Sequence, residues 1–187
     1  MKLERKVRLC SAAAAVLIAA IALTGCGGSK TTASSAAASS VAASTAAANN
    51  SCGEGVTWAL ADGTLTISGT GRMTNFTKDA PAPWADQADQ ITTVEVEGTV
   101  TSVGATAFKD CTALTTVNIA DGVEYIEVGA FNGCTALTEV NIPLSVGYIK
   151  TGAFKDCNAL TSVTIRDNCR LDMNVFPDTV EVNHAEG

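Results

Sequence analysis

The side chains in this chain with metal, redox or nucleophilic chemistry are seven cysteines and one histidine. Cys111, Cys134 and Cys157 recur at an interval of 23 residues. A stack of thiols could bind a metal or cycle between dithiol and disulfide. The surroundings argue against both. His184 lies three residues from the end, and no C-x-x-C spacing offers a chelate. Phe and Leu accompany each column cysteine, so the column reads as buried apolar thiols. Export to an oxidising compartment would leave room for a disulfide between neighbours in the column. No H-E-x-x-H, G-x-S-x-G or phosphate-loop motif is present. Glu95 and Glu97 form a carboxylate pair with no companion acid and no sign of burial. No catalytic residue, metal or cofactor is expected, and the chain is not expected to be an enzyme.

The elements that position these residues come from a repeat. FKDCTALTTVNIADGVEYIEVGA from Phe108, FNGCTALTEVNIPLSVGYIKTGA from Phe131 and FKDCNALTSVTI from Phe154 align at a period of 23. Phe108, Phe131 and Phe154 stand in one column, and Leu114, Leu137 and Leu160 in another that reaches back to Ile91. Val94, Val117, Val140 and Val163 form a third, and Val96, Ile119, Ile142 and Ile165 a fourth. Apolar residues two apart, as in Val117-Asn118-Ile119, alternate as a strand does. A turn at Ala120-Asp121-Gly122 leads to a second apolar pair, Val123 and Ile126. Ala130, Phe131 and Cys134 are spaced three and four apart, as on one face of a short helical turn. One such coil buries little by itself, whereas stacked coils share a core and build a parallel sheet.

The ends read as caps. Val56, Trp58 and Leu60 alternate, turn at Asp62-Gly63 and continue into Leu65 and Ile67, which predicts a hairpin. Both tryptophans, Trp58 and Trp84, sit in this region, as a lid over the first coil. At the far end the register slips by one, with Phe176 falling 22 residues after Phe154. Thr179-Val180-Glu181-Val182 predicts a last short strand, with His184 in a frayed tail. Cys52 and Cys169 fall in opposite caps, too distant to pair.

These motifs resemble the BspA-type subclass of leucine-rich repeats found in bacterial surface proteins. Its repeats read roughly LTSVTIPxSVTSIGxxAFxGC. The match is carried by Leu160-Thr161-Ser162-Val163-Thr164-Ile165 and by Gly129-Ala130-Phe131-Asn132-Gly133-Cys134. Cys52-Gly53, Trp58, the run from Asp62 to Gly71 and Pro83-Trp84 are similar to that subclass's N-terminal segment. The resemblance implies a repeat solenoid of leucine-rich-repeat type, with 23-residue coils, a parallel β-sheet, short helical turns and a β-hairpin N-terminal cap. The asparagine-ladder position of commoner leucine-rich repeats holds Thr99, Gly122, Ser145 and Asn168 here, so that ladder's hydrogen bonding is not expected.

The front of the chain is different. Lys2, Arg5, Lys6 and Arg8 precede an apolar run from Leu9 to Leu23. That run matches a signal peptide and is short for a membrane span of about 20 residues. It ends in Leu23-Thr24-Gly25-Cys26, which resembles a bacterial lipobox and makes Cys26 the expected lipidation site. Nineteen of residues 27–51 are Ala, Ser or Thr, too small to offset the entropy of ordering. The stretch reads as a flexible tether with a coil dimension of roughly 25–30 Å. The expected organisation is a signal peptide over 1–25, lipidated Cys26 and tether over 26–51, N-terminal cap over 52–90, and solenoid with C-terminal cap over 91–187. From Ser51 onward there are seven basic and eighteen acidic residues, which excludes a nucleic-acid partner.

Function is therefore expected at outward positions. Glu95, Asn118, Asn141 and Thr164 form one column, and Thr93, Thr116, Glu139 and Ser162 the next. Ser102, Tyr125 and Tyr148 lie between inward residues of the second apolar pair, and these are the only two tyrosines. Tyr125, Tyr148, Glu95, Asn118, Asn141 and Glu139 make up the candidate binding face, suited to proteins or glycans. The resemblance implies a monomeric, extracytoplasmic protein, lipid-anchored through Cys26 to a bacterial membrane at the cell surface. There it would bind proteins, host or matrix proteins among them, as an adhesin does. The alternative is a structural spacer or scaffold of the envelope, which predicts a phenotype on shortening residues 27–51.

Overall fold

A computed structural model describes residues 50–186. Cys26, the leader and residues 27–49 lie outside the described residues. Strands β1 (Ser51–Gly53), β2 (Val56–Ala61) and β3 (Thr64–Arg72) open the fold, followed by a 3₁₀ helix over Ala85–Gln90. Each coil then contributes two strands. These are β4 (Thr93–Val96) with β5 (Thr99–Val103), β6 (Thr116–Ile119) with β7 (Tyr125–Ile126), and β8 (Glu139–Asn141) with β9 (Tyr148–Ile149). The last are β10 (Ser162–Arg166), β11 (Arg170–Leu171) and β12 (Glu181–Ala185).

The expected hairpin is β2–β3, turning at Asp62 and Gly63 with φ of 49° and 77°, the geometry of a two-residue type I′ loop. Strand β3 serves both faces of the solenoid. Its first half pairs in parallel with β4, and its second half with β5. From there two parallel ladders run along the molecule, β4–β6–β8 on one face and β5–β7–β9–β11 on the other. The register is one coil per rung, Thr93 beside Thr116 and Thr116 beside Glu139. The structure is a parallel-sheet solenoid of about four turns, as the periodicity predicts.

The inward residues form one continuous core. Val94, Val117, Val163, Ile126 and Ile149 are buried, and Val140 is partly buried against them. The phenylalanine column is a stack whose centroids lie 5.0 Å apart from Phe108 to Phe131 and 5.1 Å from Phe131 to Phe154. Trp84 extends it at the cap, 5.5 Å from Phe108, with its indole Nε1 donating to the Ala107 carbonyl at 2.8 Å. At the other end Phe176 stacks on Phe154 at 5.2 Å, so the one-residue slip leaves the ladder unbroken. Hydroxyls form a second ladder. Thr92 donates to Gly63, Thr115 to Thr92 and Thr138 to Thr115, each to a carbonyl one rung earlier.

Four expectations need correcting. The helical turns are runs of three-residue hydrogen-bonded turns, such as Cys111 N to Phe108 O and Leu114 N to Cys111 O. The coil has too few residues there for an α-helical ring, and left-handed residues at Asp110, Gly133 and Asp156 break each run. The last strand covers Glu181–Ala185, not 179–182, because the Val180 amide closes a turn onto the Pro177 carbonyl. His184 lies in that strand beside Ile165 and not in a frayed tail. Asn50 and Ser51, assigned to the tether, are already held: Asn50 pairs with Trp58 and Ser51 belongs to β1.

Candidate functional site

The outward positions fall on two faces, because each coil carries two strands whose outer sides point away from a shared core. Glu95, Asn118 and Asn141 stand in register on β4, β6 and β8. With Glu97 they line a shallow cavity of about 290 Å³. Glu139 is exposed on β8, beside Thr116. Tyr125 and Tyr148 stand in register on β7 and β9, in the other ladder. The structure thus brings together the three acid and amide residues, and separately the two tyrosines. It does not join all six.

The tyrosine column is the more elaborate. Read rung by rung it is Arg72, Ser102, Tyr125, Tyr148 and Arg170. Ser102, expected to face outward, is buried at 1% exposure, and its hydroxyl has no hydrogen-bond partner. Cations cover the rings. The Arg72 guanidinium lies 5.4 Å from the Tyr125 centroid, and Arg170 and Lys150 lie 4.9 and 5.9 Å from that of Tyr148. Such contacts favour a fixed ring orientation. Beneath them Glu127, buried at 4% exposure, accepts from Arg72 at 3.0 Å and from Lys150 at 2.6 Å. The Tyr148 hydroxyl donates to Asp172 at 2.7 Å, and Thr151 donates to the other oxygen of the same carboxylate.

These contacts set the titration of the pair. The Tyr148 hydroxyl holds the Asp172 carboxyl below the usual carboxylate range, helped by Thr151 and Arg170. In return the hydrogen bond to Asp172 pushes the Tyr148 phenol above its ordinary value.

A groove of about 430 Å³ opens beside the tyrosines, lined by Glu124, Tyr125, Ser145, Gly147, Tyr148, Arg166 and Arg170. The Ser145 hydroxyl forms part of its floor, accepting from the Gly122 amide at 3.1 Å and donating to the Val123 carbonyl at 2.8 Å. It occupies the column where commoner repeats carry an asparagine ladder. Arg72, Lys150, Arg166 and Arg170 were missed from sequence. Periodicity offered no signal for them, since Arg72 ends β3, Lys150 follows β9, Arg166 ends β10 and Arg170 begins β11. A strict period of 23 would set Leu171 below Tyr148, and the one-residue slip puts Arg170 there instead.

The thiol column offers no competing site. Cys111, Cys134 and Cys157 are buried and free, and so is Cys52. Cys134 and Cys157 donate to the Phe108 and Phe131 carbonyls. Burial pushes the Cys111 thiol up to about 12 and that of Cys52 to about 11. Burial raises the Cys134 thiol as well. Among the described residues no cluster of His, Cys, Asp and Glu is placed to hold a metal ion. No helix among them is long and apolar enough to cross a membrane.

A family model for the BspA type leucine-rich-repeat region, in six copies, matches residues 86–185, just over half of the chain. The chain belongs to the BspA-type leucine-rich-repeat family. Three bacterial crystal structures are similar. A leucine-rich repeat protein from Eubacterium ventriosum is 24% identical with a TM-score of 0.56, over 70% of this chain and 42% of that one. A leucine rich cell surface protein from Faecalibacterium prausnitzii is 25% identical with a TM-score of 0.51, over 68% of this chain and 41% of that one. A leucine-rich repeat protein from Bacteroides ovatus is 23% identical with a TM-score of 0.50, over 70% and 39% respectively. The chain thus spans about two fifths of these proteins. No curated protein matches it. Repeat proteins of this kind are generally protein-interaction modules and not enzymes.

Proposed function

We propose that this chain is a lipid-anchored surface protein whose solenoid binds a partner protein through the face of Tyr125 and Tyr148, as an adhesin does. The observation that carries the reading is the groove beside these two tyrosines. Both rings are half-buried, stand on adjacent rungs and are held by cations, so binding would order few side chains. Their hydroxyls and rings offer mixed polar and apolar contact of the kind that dominates protein interfaces. The hydrophobic run ending in Leu23-Thr24-Gly25-Cys26 supports the anchor, and the Faecalibacterium relative is a cell surface protein.

Two experiments test the proposal. The full-length chain is used to capture proteins from host-matrix and envelope extracts, beside the double variant Tyr125→Ala, Tyr148→Ala. The variant should retain its β-sheet circular dichroism and lose the captured partner. Equal capture by both would remove the tyrosine face. Separately, Cys26→Ala should release the protein from membranes, and continued retention would sink the lipid anchor.

A further inference from the structure

We propose that the groove between Tyr125, Tyr148, Arg166 and Arg170 reads a carboxylate, supplied by an Asp or Glu side chain in an extended acidic segment of the partner protein. The inference rests on the binding face described above and gives its ligand a chemistry.

Charge is distributed unevenly over the domain. From Ser51 onward acidic residues outnumber basic ones eighteen to seven, yet four of the seven flank the tyrosine column. Arg72 and Lys150 share the single carboxylate of Glu127. Among the described residues Arg166 and Arg170 make no ion pair. Both line the groove. Four acids stand near them. Glu124 shares the rim without coming within ion-pair distance of either guanidinium, Asp167 and Glu186 line a neighbouring cavity with Arg166, and Asp172 is engaged by Tyr148 and Thr151 and feels the Arg170 charge. The groove therefore holds two guanidinium groups without an ion-pair partner, in a domain whose surface otherwise repels anions.

Residues that break the repeat build this groove. Position 147 is glycine where the preceding coils carry Glu124 and Thr101, and position 166 is arginine where they carry Pro143 and Ala120. The two departures fit each other. A Cβ on Gly147 would lie 3.0 Å from Arg166 Nη2, so the missing side chain makes room for the guanidinium. The Leu144 carbonyl holds Arg166 from one side at 3.4 Å. Its Nε is buried without a partner, so no protein acceptor offsets the charge on that side. A planar guanidinium fork complements a planar carboxylate, and a second one across the tyrosines can close on it.

A protein carboxylate suits this groove better than that of an acidic sugar. Sugar rings bind by stacking on aromatic faces, and here cations already lie over the ring faces of Tyr125 and Tyr148. The groove leaves guanidinium edges and the Ser145 and Tyr125 side chains for contact.

The test is a fluorescence-anisotropy titration of the full-length chain in detergent. The probes are a labelled peptide alternating Glu and Ser, its Gln–Ser counterpart, and a labelled hyaluronan oligosaccharide that carries glucuronate. The Glu peptide should bind and the Gln peptide should not, with affinity falling as salt is raised. Arg170→Gln, an exposed substitution, should weaken binding by about tenfold, as should Arg166→Gln. Should Arg166→Gln fail to fold, Arg170→Gln alone carries the test. Equal binding of the two peptides, binding of neither, or wild-type affinity in Arg170→Gln would overturn the proposal. Arginine-dependent binding of hyaluronan without the Glu peptide would overturn it in favour of an acidic glycan. A captured protein that requires Tyr125 and Tyr148 but tolerates Arg166→Gln and Arg170→Gln would leave the binding face standing and remove the carboxylate site.

Discussion

Tyr148 donates its hydroxyl to Asp172 at 2.7 Å, from one coil to the next along the second sheet. Tyr148 lies on β9 and Asp172 follows β11, whose Arg170 stacks on the same ring. The tyrosine that faces the groove is thus tied to the last coil through both its ring and its hydroxyl. Orientation of the binding face and closure of the C-terminal coil depend on the same contacts.

The pair should show in the pH dependence of stability. Asp172 has a depressed pKa in the folded state, so its contribution is present above the unfolded aspartate value of about 4 and is lost as pH falls through the folded value. Tyr148 has a raised pKa, so its contribution is present below about 10 and is lost as pH rises through the folded value. Tyr148→Phe should therefore lower the melting temperature at pH 6, and by less once the pH has fallen through the folded Asp172 value. Equal shifts above and below that value would mean that the hydrogen bond contributes nothing.

The aromatic ladder predicts a gradient along the solenoid. Phe131 is fully buried between Phe108 and Phe154. Phe131→Ala removes two stacked contacts and opens a cavity, costing about 3–5 kcal/mol in urea titration. Phe176 is partly exposed and stacks on one neighbour, so Phe176→Ala should cost about 1–2 kcal/mol. Equal losses would contradict a ladder that is weaker at its end.

The period and its inward columns were legible because Val, Ile, Leu and Phe recur at fixed spacing, and burial acts on each coil in the same way. The hairpin cap was legible through Asp62-Gly63. The site was only half legible. Tyr125 and Tyr148 could be found as a column, but Ser102 in the same column is buried, because its small side chain stands on β5 between the much larger Arg72 and Tyr125. Arg166 and Gly147 are neighbours through a non-repeating contact, and periodicity is blind to residues that depart from it. Arg170 entered the column through a one-residue slip that the phenylalanine spacing had signalled for the core alone.

The thiols should separate by burial. Cys169 is partly exposed, whereas Cys52, Cys111, Cys134 and Cys157 are buried. With thiols pushed up to about 11 and about 12, Cys52 and Cys111 hold a thousandth or less of their population as thiolate at pH 8. Brief treatment with iodoacetamide at that pH, followed by peptide mass spectrometry, should find label on Cys169 and little on the other four. Denaturant should expose all five. Rapid native labelling of Cys134 would mean that the stacked coils open.

Glu127 offers the sharpest separation of folding from binding. It lies below the tyrosines, its carboxylate shared between Arg72 at 3.0 Å and Lys150 at 2.6 Å, with 5% of the side chain exposed. Glu127→Gln keeps the shape and removes the charge. Two cations then face each other across a buried amide with no counter-ion, which should cost about 1–3 kcal/mol. The loss stays below that of a fully buried pair because Arg72 is 60% exposed and can turn to water. Adding Lys150→Met should recover part of the stability, since one uncompensated cation is removed, and a double-mutant cycle measures that coupling. Strictly additive effects would mean that Glu127 and Lys150 do not interact. The variant also frees Arg72 from its place over Tyr125. Partner capture should weaken even in solution conditions where the fold is fully populated, which ties the buried acid to the orientation of the tyrosine face.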